Sequence, residues 1–245
     1  MTMIELYEQI VTSFLQVPKV TELLKEPVQV IPDEDPEMTL LPPGEQPGKA
    51  GRPEYRVTAI FRGTKGEAYT ECPEAFEGTL QEALDLPVSE RGIHAAALAS
   101  INAVMSYLNQ CPGTFSDDEE THIRYADALY RHVRSQYGTD HIVLIGYDGY
   151  IVKKFVDEGM DFWTLDRNPD HITKNRFEHV IVNSAKYNRE SCYAWGRLFI
   201  LTGSSLCNGT AVQYLDHQIP VLFYGITCAA AATLLGLSWF SPDLR

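Results

Sequence analysis

From residue 141 onward the chain alternates, and that alternation limits its fold more than any other feature. Apolar runs HIVLIG (141–146), DFWTLD (161–166), HVIVN (179–183), LFILTG (198–203) and PVLFYG (220–225) are separated by stretches that mostly have helical spacing. Strands that are apolar on both faces, with helices between them, predict a mainly parallel sheet covered on both sides. In such a sheet the strands end at one edge, and ligands bind in crevices along it. The predicted edge holds Gly146-Tyr147, Asp166, Asn183-Ser184, Thr202-Gly203-Ser204 and Gly225-Ile226-Thr227.

The helices of this half are expected at 150–158, at 187–196, from Gly203 to about His217, and at 229–235. An earlier one, capped by Ser116 and Glu119, carries Ile123, Ala126, Leu129, Val133 and Tyr137 on one face.

The first half has a different grammar. Thr2 and Glu5 have capping-box spacing before a helix with Ile4, Ile10, Val11, Phe14 and Leu15 largely on one face. Pro18 ends it, and a turn of helix follows at 21–25. Residues 32–53 are rich in proline and contain Gly44, Gly48 and Gly51, which predicts a long loop. EYRVTAIF (54–61), a turn at 63–66 and EAYTEC (67–72) read as a hairpin. Thr79 and Glu82 repeat the capping-box spacing. Ser89 introduces a longer helix with Ile93, Ala97, Ile101, Val104, Met105 and Leu108 on one face. Strands first and helices second predict an α+β unit. The boundary falls at Pro112-Gly113, giving an α+β domain at 1–112 and an α/β domain at 113–245.

Formal charge is −13, from 33 acidic and 20 basic residues. That balance argues against a nucleic-acid or anionic-membrane partner. The five cysteines are scattered without CxxC spacing, so thiols in a reducing cytoplasm fit better than disulfides or a zinc finger. The acidic, amphipathic amino terminus is unlike a signal peptide, and no apolar run approaches the ~20 residues of a membrane span.

Two turns carry the candidate chemistry. Gly146-Tyr147-Asp148-Gly149 is a G-x-x-G turn, and Asp166 follows Gly146 by twenty residues. Acids so placed hold the ribose of nucleotide cofactors. In TGSSLCNGT, Gly203 permits close backbone approach, while Thr202, Ser204, Ser205 and Asn208 supply polar groups that cap a helix or reach a ligand. Cys207 and Cys228 follow neighbouring strands and would suit a soft metal, or serve as small apolar fillers. His94 reads as a packed histidine, and Asn102 as a buried tie or a group facing a cleft. A GxSxG elbow and a P-loop are both lacking.

SERGIHAAALASINAV (89–104), HIVLIGY (141–147), LTGSSLCNGT (201–210) and VLFYGITCAAAATLLG (221–236) resemble the putative heavy-metal chelation family, a family of unknown function. The resemblance runs from about residue 55 to the end. It implies an enolase amino-terminal-like α+β domain joined to a Rossmann-like domain, with a site in the cleft between them. By resemblance, Asn102, Gly146, Gly203, Ser204, Asn208, Gly225 and Thr227 match the family motif. Cys207 and His94 depart from it, standing where an aliphatic and a small residue are usual. The expectation is therefore a soft metal, or a small metal-containing or anionic ligand, bound in the cleft. Residues 202–210 and 225–227 would hold it, with Tyr147 and Asp166 beside them and Cys207 and Cys228 as soft donors. The alternatives are an enzyme using a nucleoside cofactor and a scaffold subunit contacting partners through 32–53. A chain of two small domains is also expected to dimerise.

Overall fold

The computed structural model describes residues 1–34, 54–88, 92–116, 118–167, 182–184 and 189–241. Most of the expected 32–53 loop, the Ser89 helix start and parts of the runs at 179–183 and 187–196 lie outside the described residues.

The first half builds an antiparallel sheet. Helix α1 (Met3–Leu15) starts with the expected capping box between Thr2 and Glu5. Its buried face is Met3, Leu6, Tyr7, Ile10 and Phe14, whereas Ile4 is 56% exposed, so the apolar stripe is rotated from the expected one. After α2 (Val20–Leu23) come β1 (Pro27–Pro32), β2 (Tyr55–Phe61), β3 (Thr64–Thr70) and β4 (Phe76–Thr79), in the spatial order β3-β2-β1-β4. The β2–β3 hairpin turns at Arg62 and Gly63, both with positive φ (47° and 81°), and the strand resumes at Thr64. That two-residue geometry matches the natural strand twist, so the turn is tighter than the sequence suggested.

Helix α3 (Leu80–Leu84) has the expected Thr79–Glu82 capping box. Helix α4 (Ala95–Tyr107) lies across β2 and β3 and is buried on all sides from Ala95 to Met105. Gly66 in β3 makes this approach possible. A Cβ there would lie 2.1 Å from the Ala103 nitrogen and 2.5 Å from the Ala99 carbonyl oxygen. His94 caps the helix by accepting from the Ala96 N–H (3.3 Å), and its Nε2 lies 3.1 Å from Glu74, so it is a half-buried cap and not a packed core histidine.

The second half forms the parallel sheet. Helix α5 (Glu119–Gln136) is capped by Asp118, not Ser116. The Asp118 carboxylate accepts from the Thr121 N–H (2.9 Å) and from the hydroxyls of Ser116 and Thr121. Those bonds hold the Asp118 carboxyl well below the usual carboxylate range. Asp118→Ala is expected to lower stability, read as a lower urea midpoint at constant slope. Ile123, expected inside, is 51% exposed.

Then follow β5 (Ile142–Ile145), α6 (Gly149–Asp157), β6 (Phe162–Asp166), β7 (Val182–Ser184), α7 (Arg189–Trp195), β8 (Leu198–Thr202), α8 (Val212–Leu215), β9 (Val221–Tyr224) and α9 (Ala229–Leu235). The strand order is β7-β6-β5-β8-β9, all pairs parallel. The expected helix from Gly203 to His217 is instead a 3₁₀ turn (Gly203–Ser205), a turn through Gly209 at φ +75°, and the short α8.

Both faces of this sheet are buried. Ile142, Leu144, Leu198, Ile200 and Leu222 pack with α5 and α6 in one cluster. Val143, Ile145, Phe199, Leu201 and Phe223 join a second cluster, which continues through α9 into α4, α1 and the antiparallel sheet. The two sheets thus share one apolar core. Among the described residues, no helix is long and apolar enough to cross a membrane.

Candidate functional site

Because the strands are parallel, their carboxyl ends lie along one edge, and part of the antiparallel unit lies against that edge. Asn102, inside α4, ties the two together. Its Nδ2 donates to the carbonyls of Glu67 (2.8 Å), Ile226 (3.3 Å) and Thr227 (3.2 Å), and its Oδ1 accepts from the Ala230 N–H (2.9 Å). Of the two sequence readings of this amide, the structural tie describes its contacts. Thr227 is buried and accepts from the Tyr69 N–H of β3 (2.9 Å). The Gly225 N–H donates to Tyr125 Oη (3.0 Å), while its carbonyl accepts from Trp239 Nε1 (3.1 Å). These three residues are engaged within the protein.

The 202–210 loop is pinned from the antiparallel side. The Ile93 N–H donates to the Leu206 carbonyl (3.0 Å), and a Cβ on Gly92 would lie 2.5 Å from the Cys207 carbonyl oxygen. Asn208 Oδ1 accepts from the N–H and hydroxyl of Thr210 (3.1 and 2.6 Å), so it closes a turn and does not cap a helix. Ser204 Oγ lies 3.4 Å from Thr202 Oγ1. The hydroxyl of Ser205 is buried and has no hydrogen-bond partner among the described residues.

Cys207 and Cys228 are both buried, at 8% and 1% exposure. Cys228 Sγ donates to the Gly225 carbonyl (3.3 Å) and the Tyr224 carbonyl (3.5 Å), which fixes it as a neutral thiol. Burial pushes both thiols well above the ordinary value, and the charge of Glu54 adds to the rise at Cys207. Thiolate is the form that binds soft metals, so this environment disfavours it. Among the described residues, no group of three His, Cys, Asp or Glu is arranged to hold a metal ion.

Sequence reading passed over Glu54, which sits where the two units meet. Its carboxyl is hydrogen-bonded to Ser204 and lies within electrostatic reach of Asp166, Glu71 and Arg167. Arg167 in turn pairs with Glu71 at 3.5 Å. Burial pushes the Glu54 carboxyl up to about 7, with Asp166 and Glu71 adding to the rise, while Ser204 and Arg167 oppose it. A lone acid at the start of a strand carries no sequence signal. Its role comes from the loop that lies 150 residues further on.

The G-x-x-G turn is also occupied by the protein. Asp148 caps α6, accepting from the N–H groups of Tyr150 (2.9 Å) and Ile151 (3.0 Å), and burial raises its carboxyl. Asp166 Oδ2 accepts from the Tyr147 N–H (2.6 Å). Tyr147 itself is 9% exposed.

Residues 129–238 match the family described as "Putative heavy-metal chelation", DUF364. The chain is similar to a protein of unknown function from Desulfitobacterium hafniense DCB-2, of the same family, at 12% identity over 94% of this chain and 82% of that one, with TM-score 0.53. It is also similar to a DUF364 protein of unknown function from Pyrococcus horikoshii, at 16% identity over 91% of this chain and 79% of that one, with TM-score 0.48. No curated protein matches. The D. hafniense likeness supports the fold alone.

Proposed function

We propose that the chain binds a small cationic ligand, of which a metal-bearing compound with its own inner shell is the leading case, at the cleft mouth between the two sheets. The observation that carries this reading is that Glu71 and Asp166, one from each unit, lie within electrostatic reach of Glu54, itself hydrogen-bonded to Ser204, with the Arg167 guanidinium beside them among the described residues. Such a mouth favours positive charge and offers oxygen acceptors. Buried neutral thiols do not fit soft-metal chelation, so Cys207 and Cys228 are read as packing and no inner-sphere ligand is assigned. The match to a family described as heavy-metal chelation supports metal handling as the purpose.

We also read the antiparallel unit (1–112) as enolase amino-terminal-like and the parallel unit (113–245) as Rossmann-like. The 3-2-1-4-5 strand order of the parallel sheet supports the second label. Five cysteines outside any disulfide suit a cytoplasmic setting.

Titration with hexaamminecobalt(III), whose inner shell is inert, tests the binding reading. A cation binds best when Glu54 is ionised, so affinity is expected to rise about tenfold from pH 6 to pH 8 and then level off. Glu54→Gln should flatten that profile. Absence of saturable binding at pH 8 would sink the reading, with chelated nickel as the confirming second probe.

A further inference from the structure

We infer that the crevice where the strand order of the parallel sheet reverses is closed by the chain's own groups, with Thr202, Tyr224 and Asp148 excluding phosphorylated nucleotide cofactors. This inference does not rest on the cationic-ligand reading. Asp166 is common to both, but Thr202, Tyr224 and Asp148, which close the crevice, play no part in that reading.

The reversal lies between β5 and β8, since β6 and β7 extend to one side of β5 and β8 and β9 to the other. A dinucleotide lying across such a point needs three openings. A glycine after the first strand must leave room for the pyrophosphate. The next helix must present unengaged N–H groups to it, and an acid at the end of the second strand must reach the ribose.

Each of these places is filled. Gly146 has the glycine and a φ of +93°, but a Cβ added there would lie 2.5 Å from Thr202 Cγ2, 2.9 Å from Thr202 Cβ and 3.3 Å from Tyr224 Oη. The space in front of the glycine therefore belongs to side chains of β8 and β9. Tyr224 Oη fastens that arrangement by donating to the Gly146 carbonyl at 3.1 Å. At the start of α6 the Asp148 carboxylate holds the N–H groups of Tyr150 and Ile151, the position a phosphate would take. An incoming phosphate would have to displace a carboxylate of like charge. Asp166 spends Oδ2 on the Tyr147 N–H at 2.6 Å. The sequence features that suggest a cofactor site thus serve as internal contacts.

Two measurements on the full chain test this. Titration calorimetry with ADP and NAD is expected to show no saturable binding. A Kd below about 1 mM for either would overturn the inference. The closure itself is read from a thermal double-mutant cycle. Gly146→Ala should lower Tm, and the drop should shrink by about a third or more in a Thr202→Ser background, which removes the 2.5 Å contact while keeping the hydroxyl. Equal drops in the two backgrounds would mean that Thr202 does not fill the crevice in solution, and would overturn the inference.

Discussion

Asn102→Ala is expected to cost roughly 3–5 kcal/mol of folding stability, measured by urea unfolding. The substitution strands one N–H and the carbonyls of Glu67 and Thr227, in a place with 1% exposure, while the Ile226 carbonyl keeps the Ala229 N–H at 3.0 Å. Each buried backbone group left unpaired costs about 1–3 kcal/mol, and part of that sum is recovered by relaxation and water entry. Asn102→Asp is the sharper control, because it keeps the shape but turns both donors into acceptors facing three carbonyls. It should be at least as harmful at neutral pH and should recover partly on acidification, when a protonated carboxyl can donate again. A loss under about 1 kcal/mol for the alanine variant would show that these peptides find other partners easily.

Gly66→Ala should destabilise by about 3 kcal/mol or more, for a different reason. The new methyl group would meet backbone, 2.1 Å from the Ala103 nitrogen and 2.6 Å from its Cα, so no side-chain rotation relieves it. Helix α4 would have to lift off β3. Two outcomes separate this account from simple crowding. Adding Ala103→Gly should not restore Tm, since the clash is with the helix backbone, and the urea slope should fall if the core loosens throughout. Full rescue by Ala103→Gly would locate the conflict in the Ala103 methyl instead.

What could be read from the sequence followed from how local each cause is. The parallel strands were visible because they are buried on both faces, which leaves continuous apolar runs such as LFIL (198–201). The capping boxes at Thr2 and Thr79 were visible because three residues contain the whole interaction. Strand β1 was missed, because prolines at both ends, Pro27 and Pro32, make a six-residue strand look like loop. Strand β4 has only four residues and includes Gly78. The cap of α5 was misread because Ser116 and Asp118 both suit the task, and only geometry shows the hydroxyl donating to the carboxylate.

The candidate site divides in the same manner. Its loop was legible, since small polar residues after a strand are a local pattern. The engagement of Asn102, Thr227 and Gly225 was not, because their partners lie on other elements. Glu54 was wholly hidden. Its raised carboxyl comes from burial first and then from Asp166 and Glu71, against the opposing effect of Ser204 and Arg167, and only the tertiary fold brings these groups near. Unfolded, Glu54 would titrate at an ordinary glutamate value, so its ionisation opposes folding as pH rises from about 4.5 to about 7. Glu54→Gln should remove that part of the decline in stability.

The way α4 is covered also bears on how the protein is made. This helix is buried around its whole circumference from Ala95 to Met105 and apolar there except for Ser100 and Asn102, and part of its covering is α9, with Asn102 bonded to a residue 128 positions later. A ribosome adding residues at about 5–20 per second needs many seconds to bridge that interval. During that time the emerging chain carries a sticky, half-dressed helix that its own sheet can shield on one side only. A nascent polypeptide of this design is a client for chaperones, and a stop codon anywhere before α9 would release a product prone to aggregate.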